Sequence, residues 1–125
     1  MTQEIRTLLV DDEPDIRLLL RSLFERENDG LKVVGEAADG LEALDAVALY
    51  EPAAVVIDER MPTMGGVEAA TILLARQPQT KIVLCTAYLD DALQARADAI
   101  GIASCVTKGE AMLIPKLVKR LMKSA

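Results

Sequence analysis

The chain contains no histidine and no tryptophan, and its aromatic residues are two tyrosines and one phenylalanine. Without histidine it cannot supply a Ser-His-Asp or Cys-His nucleophilic site, or a histidine-ligated zinc. Without more aromatic faces it has no platform on which single-stranded nucleic acid stacks. Cysteine is scarce too. Cys85 and Cys105 lie inside apolar runs, in neither a metal nor a redox spacing, and read as buried free thiols of a reducing compartment. No apolar run reaches the ~18 residues that a membrane-spanning helix needs. The opening Met1-Thr2-Gln3-Glu4 is polar and acidic, unlike a signal peptide, so the expected location is cytoplasmic and no membrane contact is expected. Positive charge is in the minority, with 14 Lys and Arg against 20 Asp and Glu and a net charge of −6, which argues against direct contact with nucleic acid. The chemistry that remains must use carboxylates, hydroxyls, lysine or a hard cation.

What is present is a core. In 125 residues 51% are hydrophobic, enough for one domain over 1–125. The stretch Ala53-Ala54-Val55-Val56-Ile57 has no polar alternation and reads as a strand buried on both faces, the central strand of a parallel sheet. It stops at Asp58. Ligands of open parallel sheets bind outside the carboxyl ends of the strands, so Asp58 lies where chemistry is expected; the competing reading is an acidic helix cap.

The remaining pattern alternates. Strands are predicted from Ile5 to Val10, Leu31 to Glu36, Lys81 to Cys85 and Ile102 to Val106. Between them run helices: one from Pro14 with Ile16, Leu19, Leu20, Leu23 and Phe24 on its apolar face, closed by Asn28-Asp29-Gly30; one marked by Leu41, Leu44, Val47 and Ala48; one from Val67 to Arg76; and one from Leu89 to Ile100. A fifth helix is expected from about Pro115, after a looser turn, because proline breaks a helix interior. The half-polar second strand is an edge. Five strands alternating with five helices imply right-handed crossovers and a parallel sheet covered on both faces, a doubly wound α/β fold.

The unusual residues gather at strand ends. Asp11 and Asp12 follow the first strand, Asp58 the third, Thr86 the fourth and Lys108 the fifth. Three carboxylates on one rim repel one another unless a cation is present, and a hard ion such as Mg²⁺ suits them. A carboxylate nucleophile beside a metal, a hydroxyl and an ammonium group is what a transferring phosphoryl group needs.

The segments Leu8-Leu9-Val10-Asp11-Asp12-Glu13, Val55-Val56-Ile57-Asp58-Glu59-Arg60-Met61-Pro62, Thr86-Ala87-Tyr88 and Val106-Thr107-Lys108, in this order, resemble the receiver domain of two-component response regulators over essentially the whole length. The resemblance implies a flavodoxin-like (βα)5 three-layer sandwich with strand order 2-1-3-4-5. It implies that Asp58 is phosphorylated by a sensor histidine kinase or phosphotransfer protein. Mg²⁺ would be held by Asp11, Asp12, the Asp58 side chain and the Arg60 backbone carbonyl. Thr86 would bond the phosphoryl group and Lys108 would pair with one of its oxygens. The absent histidine fits, since the donor imidazole then comes from a partner. The protein would be a signalling switch rather than an enzyme, relaying the change to the surface of the fourth helix, fifth strand and fifth helix.

Three positions depart from the family pattern. Gly109 stands where a proline with a cis bond usually follows the lysine, which predicts a trans bond and a more flexible loop. Cys105 stands where a switching aromatic is usual, leaving Tyr88 as another carrier of the signal or as a plain surface aromatic. Gly65 replaces a capping aspartate, with little effect expected. Asp90, Asp91, Arg96 and Asp98 beside Lys116, Lys119 and Arg120 suggest either a solvated surface or a homodimer face formed on phosphorylation. The Tyr after Thr86-Ala87 is common in receivers attached to helix-turn-helix DNA-binding domains. A free-standing or degenerate receiver that acts by protein binding without phosphorylation is the alternative. A haloacid dehalogenase-type phosphatase would need an Asp at Arg60, and a flavodoxin-like flavin carrier would need a Ser/Thr/Gly-rich loop at Asp11-Asp12-Glu13.

Overall fold

A computed structural model describes residues 4–123. The polar lead-in Met1-Thr2-Gln3 lies outside them. Strands β1 (Ile5–Val10), β2 (Leu31–Ala37), β3 (Ala54–Ile57), β4 (Lys81–Thr86) and β5 (Ser104–Thr107) alternate with helices α1 (Pro14–Glu27), α2 (Gly40–Tyr50), α3 (Gly66–Arg76), α4 (Asp91–Ile100) and α5 (Ile114–Lys123). The strands form one parallel sheet in the order β2-β1-β3-β4-β5. This is the doubly wound arrangement that the alternation predicts, with the half-polar β2 at an edge.

The sheet divides its side chains by parity, as a strand buried on both faces must. Leu8, Val10, Val55, Ile57, Ile82 and Leu84 point to one side and pack with α2, α3 and α4. Leu9, Val56, Val83, Cys85 and Val106 point to the other and pack with Leu20 and Phe24 of α1 and Ile114 and Val118 of α5. Three layers result, and the carboxyl ends of β1, β3, β4 and β5 meet along one rim.

The local signals work as chemistry dictates. Pro14 opens α1, where its missing N–H costs nothing, and Asn28 and Asp29 close it with positive φ. The Asp39 and Asp90 carboxylates cap α2 and α4 by accepting from the Glu42 and Leu93 N–H groups. That cap moves the start of α4 from the expected Leu89 to Asp91.

Other expectations need adjustment. In α2 the buried face is Gly40, Ala43, Ala46 and Val47, while Leu41 and Ala48 are exposed: small residues let the helix lie close on the sheet. In α1, Leu19 is largely exposed. Cys85 is buried but Cys105 is only half-buried, because β5 is the other sheet edge. The stretch after β5 is a 3₁₀ turn over Lys108–Leu113, closed by a reciprocal bond between Thr107 and Glu110, a more regular connection than a flexible loop. No cis peptide bond occurs among the described residues.

Candidate functional site

The rim collects side chains from four strand ends. Asp11 directly follows β1, and its carboxylate accepts a hydrogen bond from the Glu13 N–H at 2.9 Å. Asp58 directly follows β3 and accepts from the Glu59 N–H at 2.7 Å. Both are buried, at 1% and 3% exposure. Thr86, the last residue of β4, is 2% exposed and lies in register with Thr107 of β5. Lys108 follows Thr107 and turns its ammonium group inward.

Lys108 Nζ is the hub. It lies 2.9 Å from Asp58 Oδ2, 3.1 Å from Asp11 Oδ2 and 2.9 Å from Glu13 Oε1. The sequence brings these groups together only through the sheet order, since β1 lies beside β3 and β5 two strands away. The electrostatics follow. Burial pushes the Asp11 carboxyl above its ordinary value; its bonds to the Glu13 N–H and Lys108 pull the other way, and the Asp58 charge adds to the rise. Burial would lower the Lys108 pKa, but the Glu13, Asp58 and Asp11 carboxylates outweigh it and hold the ammonium more firmly protonated than usual. Cys85, beneath the rim, is pushed up to about 12 by burial and then by the Asp58 charge, so it is an inert thiol.

Ligand oxygens of Asp11, Asp12 and Glu13 lie within 4.8 Å of one another. Asp12 and Glu13 are exposed and Asp11 is buried, so the cluster opens to solvent above a buried floor. Hard oxygen donors converging beside a fourth carboxylate, Asp58, are the donor set a small divalent cation takes. The sequence motif contains Glu13 but assigns it no role. Its signal was only its place after two aspartates, and its bond to Lys108 spans 95 residues.

Thr86 also borders a cleft of about 240 Å³ lined by Arg60, Tyr88, Asp90, Leu93 and Arg96 among others. Tyr88 is 65% exposed there, and Arg60 is exposed as well. Cys105 does not join the rim; it packs under α4, beside the Gln94 side chain.

The profile of the response regulator receiver domain matches residues 7–121. The chain belongs to that family. Among curated relatives of this receiver domain, the response regulator GacA of Pseudomonas viridiflava is 37% identical over 105 residues, which is 84% of this chain and 49% of that protein. Protein-glutamate methylesterase/protein-glutamine glutaminase 3 of Hahella chejuensis is 40% identical over 89 residues, 70% of this chain and 25% of that protein. Among solved structures, a LuxR-family two-component response regulator from Aurantimonas sp. SI85-9A1 superposes with a TM-score of 0.90 at 30% identity, covering 98% of this chain and 87% of that one. The receiver domain thus spans a quarter to about half of the length of these curated relatives. It is a signalling module of the two-component type with the flavodoxin-like fold. Among the described residues no helix is long and apolar enough to cross a membrane.

Proposed function

We propose that residues 1–125 are a phosphorylation-activated switch in which Asp58 accepts a phosphoryl group with Mg²⁺ as cofactor. The observation that carries this is the Lys108 ammonium group bonded at once to Asp58, Asp11 and Glu13. A lysine is held at the nucleophile by the same acidic cluster that suits a cation.

In this reading Asp11, Asp12, the Asp58 side chain and the Arg60 backbone carbonyl hold the ion. Mg²⁺, when bound, supplies positive charge to oxygens of the transferring group. The residues do the rest. An Asp58 carboxylate oxygen attacks the phosphorus of a phosphohistidine, the P–N bond breaks, and the imidazole leaves to pick up a proton. The product is an acyl phosphate on Asp58. Its Oδ1 stays oriented by the Glu59 N–H. Lys108 exchanges a carboxylate partner for a phosphoryl oxygen. Thr86, at the neighbouring strand end, offers its hydroxyl to another, and Tyr88 and Cys105 on the α4 side take up the resulting shift.

The donor is a sensor histidine kinase or a phosphotransfer protein. A groove between α1 and the 3₁₀ turn, lined by Leu19, Leu23, Ala111 and Met112, opens beside Lys108 and supports docking of such a partner. The output runs through α4, β5 and α5, either to a homodimer or to an attached module. The relation to GacA and to a LuxR-family regulator favours an N-terminal receiver of a DNA-binding transcriptional regulator, located in the cytoplasm.

The test is intact mass after incubation with acetyl phosphate and Mg²⁺. The wild type is expected to gain one phosphoryl group, and Asp58→Ala and Mg²⁺-free samples none. No gain in the wild type beside a labelling control receiver overturns the reading and leaves a degenerate receiver that acts by protein binding alone.

A further inference from the structure

We propose that Glu59 is a positioning residue for Asp58, acting as the cap of α3 from outside that helix. The proposal rests on the reading of Asp58 as phosphoacceptor.

Helix α3 begins without a cap of its own. Its N-cap position is Gly65, which has no side chain to accept from the first turn. The Glu59 side chain fills that role from the loop after β3: Oε1 accepts the Val67 N–H at 2.8 Å, and the Glu59 carbonyl accepts the Gly66 N–H at 3.1 Å. A carboxylate there also meets the positive end of the helix dipole. Gly65 and Glu59 are fitted to each other. A Cβ at position 65 would stand 3.2 Å from Glu59 Oε2 and 3.0 Å from the Glu59 carbonyl oxygen, so a side-chain cap at 65 and this carboxylate compete for one space.

The capped end of α3 presses directly on the acceptor. A Cβ at Gly66 would come within 2.2 Å of the Asp58 carbonyl oxygen, so backbone meets backbone there and any displacement of α3 reaches Asp58. Glu59 holds the other side of the same residue through its N–H bond to Asp58 Oδ1. Its backbone orients the acceptor carboxylate while its side chain fixes where that backbone sits. The second carboxylate oxygen, Oε2, lies 3.9 Å from Arg96 Nη2 on α4. This long, solvent-facing pair links the acceptor loop across the cleft that Thr86 and Tyr88 border.

Capping and positioning separate in a rescue experiment. Glu59→Ala removes the side chain. Glu59→Ala with Gly65→Asp returns a cap to α3 from its own N-cap position: the glutamate carboxylate has gone, the carbonyl oxygen of residue 59, 3.0 Å from the new Cβ, must give slightly, and the tie to Asp58 is not restored. Glu59→Gln keeps an oxygen for the Val67 N–H and loses the charge facing Arg96. For each, the urea midpoint and the initial rate of labelling by acetyl phosphate at saturating Mg²⁺ are measured. The expected result is a lower midpoint for Glu59→Ala, recovered in the double variant, with labelling slowed about tenfold in both, because small displacements of a reacting group are costly. Glu59→Gln is expected to label within about twofold of wild type, since its geometry is kept. Labelling at the wild-type rate in the double variant overturns the proposal and leaves Glu59 as a cap alone. If Glu59→Ala does not fold, the double variant decides in the same way. A wild type that does not label at all would instead refute Asp58 as the acceptor.

Discussion

At the scale of single residues, Lys108 has the most demanding surroundings. It is the counter-charge for two buried carboxylates, Asp11 and Asp58, and for the exposed Glu13. Replacing it with an apolar side chain of similar length leaves Asp11 and Asp58 facing each other with no cation between them. Lys108→Met is therefore expected to lose roughly 1.5–3 kcal/mol of stability in urea unfolding without divalent ions, the range for hydrogen bonds to charged groups. The loss should shrink when Mg²⁺ is added. A variant as stable as wild type in EDTA would contradict the hub role. The pH dependence has a definite sign. The folded-state pKa of Lys108 lies above the ordinary 10.5, so its contribution is fully present below pH 10.5 and fades as pH rises through the higher folded value. The gap between wild type and variant should close in that alkaline range, and close again in acid, where the partner carboxylates take up protons and no longer need a counter-charge.

At the scale of elements, the edge strand β2 is fastened to α1 by one glutamate. Glu36 accepts from Arg17 Nε at 3.0 Å and from Arg21 Nε at 2.7 Å, and Arg17 also donates to the Asp11 carbonyl. Burial would raise the Glu36 pKa, but Arg21 and Arg17 outweigh it and hold it below the usual carboxylate range. Its stabilising contribution is present above pH 4.5 and lost as pH falls through the lower folded value. Glu36→Gln is expected to cost about 0.5–1 kcal/mol near neutral pH, as a partly exposed network does, and nothing at low pH. Unfolding midpoints measured across the acid range check this; an equal loss at every pH would point to packing instead.

The elements themselves were legible in the sequence because their signals are local: unbroken apolar runs for the strands, Pro14 and Gly101 at helix ends, carboxylates at strand ends. The acidic half of the site was legible for the same reason, since Asp11, Asp12 and Asp58 each close an apolar run. What escaped was set by distance along the chain. Neither the part of Glu13 nor that of Glu59 follows from neighbours in sequence, because their partners are Lys108 and the first turn of α3. The buried face of α2 does not follow from the apolar pattern, for another reason. The helix lies close on the sheet and selects Ala43 and Ala46 over the larger Leu41, a preference of packing rather than of periodicity.

At the scale of the whole molecule, the net charge of −6 surrounds a site proposed to receive anionic donors. Such a field repels a small acyl phosphate on approach, and salt screens it. With Mg²⁺ kept saturating, labelling by acetyl phosphate should accelerate about twofold between low and near-physiological ionic strength. A rate that falls with salt would mean that a local positive patch, not the net charge, governs approach. No such penalty need apply to a protein donor, whose proposed docking groove beside α1 is mainly apolar.

The sheet order has one more consequence, in the time domain. Thr7 lies opposite Ala54, with two helices and a strand between them in sequence, and Thr86 opposite Thr107, with one helix between. No strand can find its neighbour as a hairpin, so every pairing awaits closure of a long loop, and such topologies fold slowly for their size. Along the chain the aspartates come first, and Lys108 follows Asp58 by 50 residues. A nascent chain therefore carries its acidic cluster without the lysine that faces it until β5 docks.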